Sequence, residues 1–221
     1  MKTAIRHIVA RTYRPFLTRY LSKTRSYSYE GLKLTIPPAV FHPGFFFSTK
    51  LLLNYIRQLD LEGKKFLEPG CGSGLISLYA AGKGALVTAT DINPIAIDYL
   101  HKNAADNKGK LEIILSDLFT NVPPAAFDII AINPPYYKKQ PQNDRDYAWF
   151  CGEKGEYFES LFTGLGNYIH KTSLVLMILF EGCDQEMIGN IATRNGFGLR
   201  LEFKKKNLLE TNFIYKIERI N

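Results

Sequence analysis

Phe66-Leu67-Glu68-Pro69-Gly70-Cys71-Gly72-Ser73-Gly74 is the stretch on which the fold of this 221-residue chain turns. An apolar run ends in an acid and passes into a turn with three glycines, and a helix is expected from Gly74. Strand, glycine turn and helix in that order make the unit from which doubly wound α/β sheets hold a nucleotide. A dinucleotide fingerprint would need glycine where Leu75 stands, and it would not need the acid at Glu68. The loop therefore belongs to a nucleotide of another kind.

Outward from the loop, strands and helices alternate. Strands are expected over 65–68, 85–91, 112–115, 127–133 and 173–180, with helices from 74, over 94–107, 156–169 and 184–195. Such alternation builds a parallel sheet covered on both faces. The ending differs: 199–205 and 212–219 read as two strands joined by a polar connection, which predicts an antiparallel edge. Upstream, Ser48 is expected to cap an amphipathic helix over 48–59, with Leu51, Leu52, Tyr55, Ile56 and Leu59 on its apolar face. Leu32, Leu34 and Ile36 alternate as a strand. Ile5, Ile8, Val9, Phe16, Leu17, Tyr20 and Leu21 recur at helical spacing around a break at Pro15, which predicts two short helices. The division expected is a basic N-terminal helical arm with a short strand over 1–40, and a catalytic domain over 41–221.

Charge is unevenly placed. Residues 1–33 hold eight basic side chains (Lys2, Arg6, Arg11, Arg14, Arg19, Lys23, Arg25, Lys33) against Glu30, a net +7, so the remainder is neutral with 20 basic and 20 acidic residues. A basic arm on a neutral domain points to an acidic partner, RNA first among them, although a solvated amphipathic helix has the same composition. An organellar transit peptide has it too, but the arm is expected to remain with the chain. Arg6, His7 and Arg11 interrupt any secretory apolar core. The longest apolar stretch, 173–180, is far short of the roughly 20 residues a membrane helix needs, so no membrane association is expected. Cys71, Cys151 and Cys183 form neither a CxxC pair nor a disulfide framework, which implies a reducing, cytoplasmic compartment. His7, His42, His101 and His170 lack ligand spacing, and no metal site is expected.

The loop resembles the cofactor loop of class I S-adenosylmethionine-dependent methyltransferases. That resemblance implies a Rossmann-like sheet of seven strands, mostly parallel with an antiparallel edge, and S-adenosylmethionine as cofactor. Glu68 would face the cofactor's methionine amine, and Gly70, Cys71, Gly72 and Gly74 would let the backbone come close to it. Cys71 is read as a small packing residue rather than a nucleophile. Asp91, ending the next strand, would accept from both ribose hydroxyls, with Ile92 beside the adenine. Asp117 with Leu118, after the third strand, would meet the adenine amine. Each piece alone is common in α/β domains; their order at the ends of successive parallel strands is what carries weight.

The most specific signal is Asn133-Pro134-Pro135-Tyr136, directly after the buried run Ile129-Ile130-Ala131-Ile132. It matches the NPPY motif of methyltransferases that act on nitrogen bound to an sp2 carbon. Such a nitrogen shares its lone pair with a π system and is a poor nucleophile. An asparagine oxygen and the carbonyl of Pro134 can each accept one of its two N–H groups, orienting the lone pair and stabilising the charge that develops. Asn133, Pro134 and Tyr136 are thus the catalytic residues expected, Asn133 also bordering the cofactor. Pro135, Tyr136, Phe46 and Trp149 are expected on the acceptor's side, with Tyr136 offering its flat face. Tyr147 and Trp149 are expected mainly to pack a lid.

Over residues 41–221 the layout resembles most the short-form release-factor glutamine methyltransferases, the HemK-like group. Pro43-Gly44-Phe45 with the run from Ser48 to Leu53, and Tyr147-Ala148-Trp149-Phe150 with Gly152, Lys154 and Gly155, carry that resemblance. The function it implies is methylation of a glutamine side-chain amide of a release factor. Two departures stand: no acid occurs in Phe46-Phe47-Ser48-Thr49, and the basic arm is foreign to the short enzymes. The alternatives are a ribosomal or transfer RNA nucleobase amine and, in another class, a non-catalytic methyltransferase-like binding subunit. Lys204-Lys205-Lys206 reads as a solvated strand end that would add to a phosphate-binding surface.

Overall fold

The structure, a computed structural model, describes residues 19–207 and 210–220. Of the two helices expected between Ile5 and Leu21, only residues 19–21 are among those described, and they are helical. From Arg25 the arm is not helical: β1 (Arg25–Tyr29) and β2 (Leu32–Ile36) form an antiparallel hairpin. Its turn places both Glu30 and Gly31 at positive φ, 51° and 82°, the conformation that two-residue hairpins require. The alternation of Tyr27 and Tyr29 with Ser26 and Ser28 is too brief to stand out within the basic arm. Leu34 and Ile36 are buried in the same core as the glycine-loop helix.

The hairpin is tied down by asparagines. Asn107 takes the Lys33 N–H at 2.9 Å and donates to the Lys33 carbonyl at 2.7 Å. Asn103 takes the Thr35 N–H at 2.8 Å and donates to the Thr35 carbonyl at 3.2 Å. Both lie one turn apart on the helix Pro94–Asp106 or at its end. Four helical residues rise about 6 Å and two strand residues about 6.6 Å, so the periods match.

After α1 (Phe47–Ile56) come β3 (Lys65–Pro69), α2 (Leu75–Gly82), β4 (Leu86–Asp91), α3 (Pro94–Asp106), β5 (Leu111–Leu115) and β6 (Phe127–Ile132). Then follow a 3-10 turn (Asp146–Ala148), α4 (Glu156–Leu165), β7 (Ile169–Phe180), α5 (Gln185–Arg194), β8 (Phe197–Lys206) and β9 (Thr211–Arg219). The seven strands lie in the order β5-β4-β3-β6-β7-β9-β8. β3 to β7 are parallel; β9 pairs antiparallel with both β7 and β8. The seven-stranded, mostly parallel sheet with an antiparallel edge is therefore what forms, and β9 alone runs against the rest.

Strand alternation separates two layers. Phe66, Ile129, Ala131, Leu176 and Ile178 face α1, α2, α3 and β2. Leu67, Ile130, Ile132, Val175, Met177 and Leu179 face α4 and α5. Each fully buried Leu, Ile or Phe stabilises by roughly 1.5–3 kcal/mol relative to exposure. The strand ends that carry the site are thus fixed between two apolar layers.

Two boundaries differ in a telling way. α1 begins at Phe47 with Phe46 as its cap residue and no side-chain cap, so Ser48 lies inside the first turn and is buried rather than capping. α4 ends at Leu165, because Ile169 already belongs to β7.

Candidate active site

The carboxyl ends of β3, β4, β5 and β6 open on one cavity of about 230 Å³. A single water needs only ~10–15 Å³ of such space, so this is room for an organic ligand. Its walls include Glu68, Gly70, Cys71, Gly72, Asp91, Ile92, Asp117, Leu118, Asn133, Pro134, Pro135 and Tyr136. Twelve of the residues singled out in the sequence therefore share one space.

Glu68 is buried, and its Oε2 accepts the Ser77 N–H at 2.8 Å and also the Ser77 hydroxyl. Burial pushes its carboxyl up to about 8, against the pull of those two bonds. A carboxyl so placed gains from a cation arriving in the cavity. Asp91 is buried as well, and burial raises its pKa. Its Oδ2 accepts from Gly72 N–H at 2.8 Å and its Oδ1 from Asn93 N–H at 2.9 Å. A carboxylate offers about four lone-pair sites, so Asp91 retains capacity for hydroxyl donors. Asn93 extends the arrangement: its Oδ1 caps α3 through the Ile95 N–H, and its amide donates to the Ala39 carbonyl at 2.9 Å. The segment before α1 is thereby tied to the end of β4.

Gly70 has φ 71°, and a Cβ there would meet no atom within 4 Å. The floor of the cavity is bare backbone at that point, a cradle open to a ligand. Gly74 departs from its expected role. It is not among the cavity walls; at φ 75° its missing Cβ leaves room for Leu100, whose Cδ1 would sit 2.1 Å away. The last loop glycine serves the packing of α2 against α3.

Asn133 follows β6 directly. Its Nδ2 lies 3.1 Å from the Thr49 hydroxyl, and its Oδ1 accepts from the Tyr136 hydroxyl. Tyr136 is a wall of the cavity; its ring meets Phe180 in a T-shaped contact at 5.1 Å and its hydroxyl is engaged. Burial raises its pKa, so the phenol keeps its proton. Phe46 and Trp149 are likewise not among the cavity walls. They pack on each other at 4.9 Å and on Phe41, which is a wall residue. Three aromatic rings minimise their exposed area by clustering, which leaves only Phe41 facing inward.

Two aromatic rings line the cavity without a ring partner among the described residues: Tyr147, 42% exposed on the 3-10 turn, and Phe150, which carries the Lys139 ammonium 4.8 Å from its centroid. Tyr157, in the first turn of α4, is a further wall residue; burial raises its pKa. Sequence reading missed Thr49, Phe41 and Tyr157. Only the position of Tyr157 just after the glycines 152 and 155 carried a signal. Cys71, Cys151 and Cys183 are all buried and free. Among the described residues no helix is long and apolar enough to cross a membrane, and no group of three potential metal ligands occurs.

Residues 31–151 match the family described as the methyltransferase small domain. An archaeal protein from Methanocaldococcus jannaschii, with an inferred assignment as a protein N5-glutamine methyltransferase, is 36% identical over 155 residues, covering 67% of this chain and 76% of its own length. The ribosomal RNA small subunit methyltransferase C of Actinobacillus pleuropneumoniae is 32% identical over 116 residues, 51% of this chain; the match spans only 35% of that enzyme's length. The solved complex of Mtq2 with Trm112 from E. cuniculi, described as responsible for methylating the termination factor eRF1, shares the fold with a TM-score of 0.63. It is 20% identical over 82% of this chain and 99% of its own. A buried carboxyl at the end of β3, an open glycine cradle and an asparagine held at the end of β6 thus stand in a chain that belongs to the methyltransferase small domain family and is an S-adenosylmethionine-dependent methyltransferase.

Proposed function

We propose that the chain methylates a side-chain amide nitrogen of glutamine in a translation release factor. The observation that carries this reading is the Asn133 amide, held at both ends on the cavity wall beside Pro134. The cofactor supplies an electrophilic methyl group on a positively charged sulfur. Gly70, Gly72, Glu68 and Asp91 would hold it, Glu68 toward the amine and Asp91 toward the ribose, with Ile92, Asp117 and Leu118 at the adenine.

On the acceptor side, the Asn133 Oδ1 and the Pro134 carbonyl each accept one N–H of a planar amide. That fixes the amide plane and leaves the nitrogen lone pair facing the methyl group. A carbonyl oxygen has two lone pairs, so Asn133 can accept from the substrate while Tyr136 still donates to it. Tyr147 and Phe150 add to Tyr136 as aromatic surface for a planar group. The proton leaves after transfer, once the methylated nitrogen has become acidic, so no strong base is required.

A nucleobase amine in RNA is the second reading, and one observation favours it: the net +7 of residues 1–33. The arm would then be the docking surface, its affinity falling steeply with salt. Resemblance to the Mtq2–Trm112 complex adds a second protein subunit as a partner, and three free buried thiols suit a reducing, cytoplasmic setting.

The test is transfer of radiolabelled methyl to two purified pools, release factors and total RNA, with the Asn133→Ala protein as control. Label in the release-factor pool supports the glutamine reading. Label confined to RNA overturns it and makes the arm the docking surface; replacing Lys2, Arg6, Arg11 and Arg14 by Ala should then weaken RNA binding.

Proton linkage provides a separate check on Glu68. At pH 7 its carboxyl, with a pKa of about 8, is mostly protonated. Facing the cofactor's ammonium favours the ionised form, so binding at pH 7 should release close to one proton. Calorimetry in two buffers of different ionisation enthalpy measures this directly. Glu68→Gln should abolish the buffer dependence; identical heats for the native chain in both buffers would place the amine elsewhere.

A further inference from the structure

We propose that Thr49 is a positioning residue for Asn133: its hydroxyl, together with that of Tyr136 at the other end, holds the plane of the side-chain amide where it meets the acceptor nitrogen. This rests on the reading of Asn133 as the group that aligns the acceptor.

The need for such a residue comes from the chemistry of asparagine. Rotation about its terminal torsion is broad and roughly two-fold. An amide turned away from the acceptor presents its oxygen out of line, so the fraction of time spent there is lost to catalysis. Tyr136 alone leaves the amide free to turn about a single contact. A second contact at the other end is required.

Thr49 supplies it. Its Oγ1 lies 3.1 Å from Asn133 Nδ2, it is 7% exposed, and it lines the cavity. It stands in the first turn of α1, whose Leu51, Leu52, Leu53 and Ile56 are buried in the core. The β-branched side chain restricts its own rotamers. A helix fixed by its apolar face thus delivers the hydroxyl to a set point next to the strand end. Thr49 touches neither methyl group nor acceptor nitrogen in this arrangement; it acts through Asn133.

The test uses the full chain with Thr49→Val, which keeps the shape and removes the hydroxyl, and Thr49→Ser, which keeps the hydroxyl. Two readouts are taken. The first is the side-chain amide signal of Asn133 in a 15N-labelled spectrum, identified by its loss in Asn133→Ala. Thr49→Val should shift it and speed its hydrogen exchange, and Thr49→Ser should leave it near the native position. The second is methyl transfer to whichever pool is labelled in an Asn133-dependent manner. Thr49→Val should lower kcat on the order of 10- to 100-fold through misorientation, with KM for S-adenosylmethionine little changed, and Thr49→Ser should restore most of the rate.

An unchanged amide signal in Thr49→Val overturns the proposal whatever the acceptor is. A shifted signal with undiminished kcat overturns the catalytic half of it. If Asn133→Ala itself retained full turnover, the reading of Asn133 would fall instead, and the amide signal would separate that result from a failure of the Thr49 contact.

Discussion

Asn133→Ala should lower methyl transfer by about 10²–10³-fold, the cost of removing one preorganised polar group aimed at developing charge, while cofactor binding stays close to native. The argument rests on where Asn133 sits. It follows the last residue of β6, whose Ile130 and Ile132 are fully buried, so the backbone carrying the amide has almost no freedom to compensate. Its amide lies between Thr49 and Tyr136, and truncation leaves both hydroxyls without that partner. The cofactor's polar contacts are expected at Glu68 on β3, the glycine loop that follows it, Asp91 at the end of β4 and Asp117 after β5. The two functions are therefore carried by different strands and separate on mutation. Single-turnover transfer, measured beside calorimetric titration with S-adenosylmethionine, gives both numbers; a fall in affinity matching the fall in rate would reassign Asn133 to the cofactor.

The largest effect on stability is expected at Gly74. Gly74→Ala forces a side chain into left-handed backbone at φ 75° and sets its Cβ 2.1 Å from the Leu100 Cδ1. Left-handed backbone costs roughly 1–2 kcal/mol for a residue with a Cβ, and overpacking a filled core a further 1–3 kcal/mol, so about 2–5 kcal/mol together. Leu100 is fully buried and can turn aside only by displacing its neighbours. Domains of this kind typically hold 5–15 kcal/mol in all. Urea unfolding should show the midpoint fall accordingly. Gly70→Ala is the control: its backbone strain is similar, but its Cβ enters open space, so it should cost less stability and tell more on cofactor affinity.

The sheet was legible because the buried runs Ile129–Ile132 and 173–180, the glycine loop and the acids at strand ends are each local signals with a fixed period or spacing. That Glu68, Gly70, Gly72 and Asp91 would share one cavity was legible for the same reason, since they sit at or just after the ends of adjacent strands. What the sequence did not disclose depends on contacts between distant segments. Thr49 meets Asn133 across 84 positions. Tyr147 and Phe150 add aromatic surface to the cavity beside Tyr136, whose hydroxyl is engaged by a residue only three positions away and whose ring meets Phe180. Phe46, expected on the acceptor's side, and Trp149, expected there but mainly as part of a lid, pack on each other and on Phe41. The strand character of 25–29 rests on the short alternation of Tyr27 and Tyr29 with exposed Ser26 and Ser28, too brief to stand out within the basic arm.

The asparagine fastening of β2 has a consequence for the order in which the chain acquires its shape. Its four hydrogen bonds join positions 68 to 74 apart, so they close long loops whose entropy must first be met by other contacts. Helix α3 has to be formed and seated before Lys33 and Thr35 find their amides. Ala39, Val40 and Phe41, which wall the cavity, follow β2 directly, and the Ala39 carbonyl is held by Asn93 at the start of that same helix. The chain segment made first is thus fixed in place among the last, and the ligand-binding space is completed only when the two ends of the glycine-loop half have met.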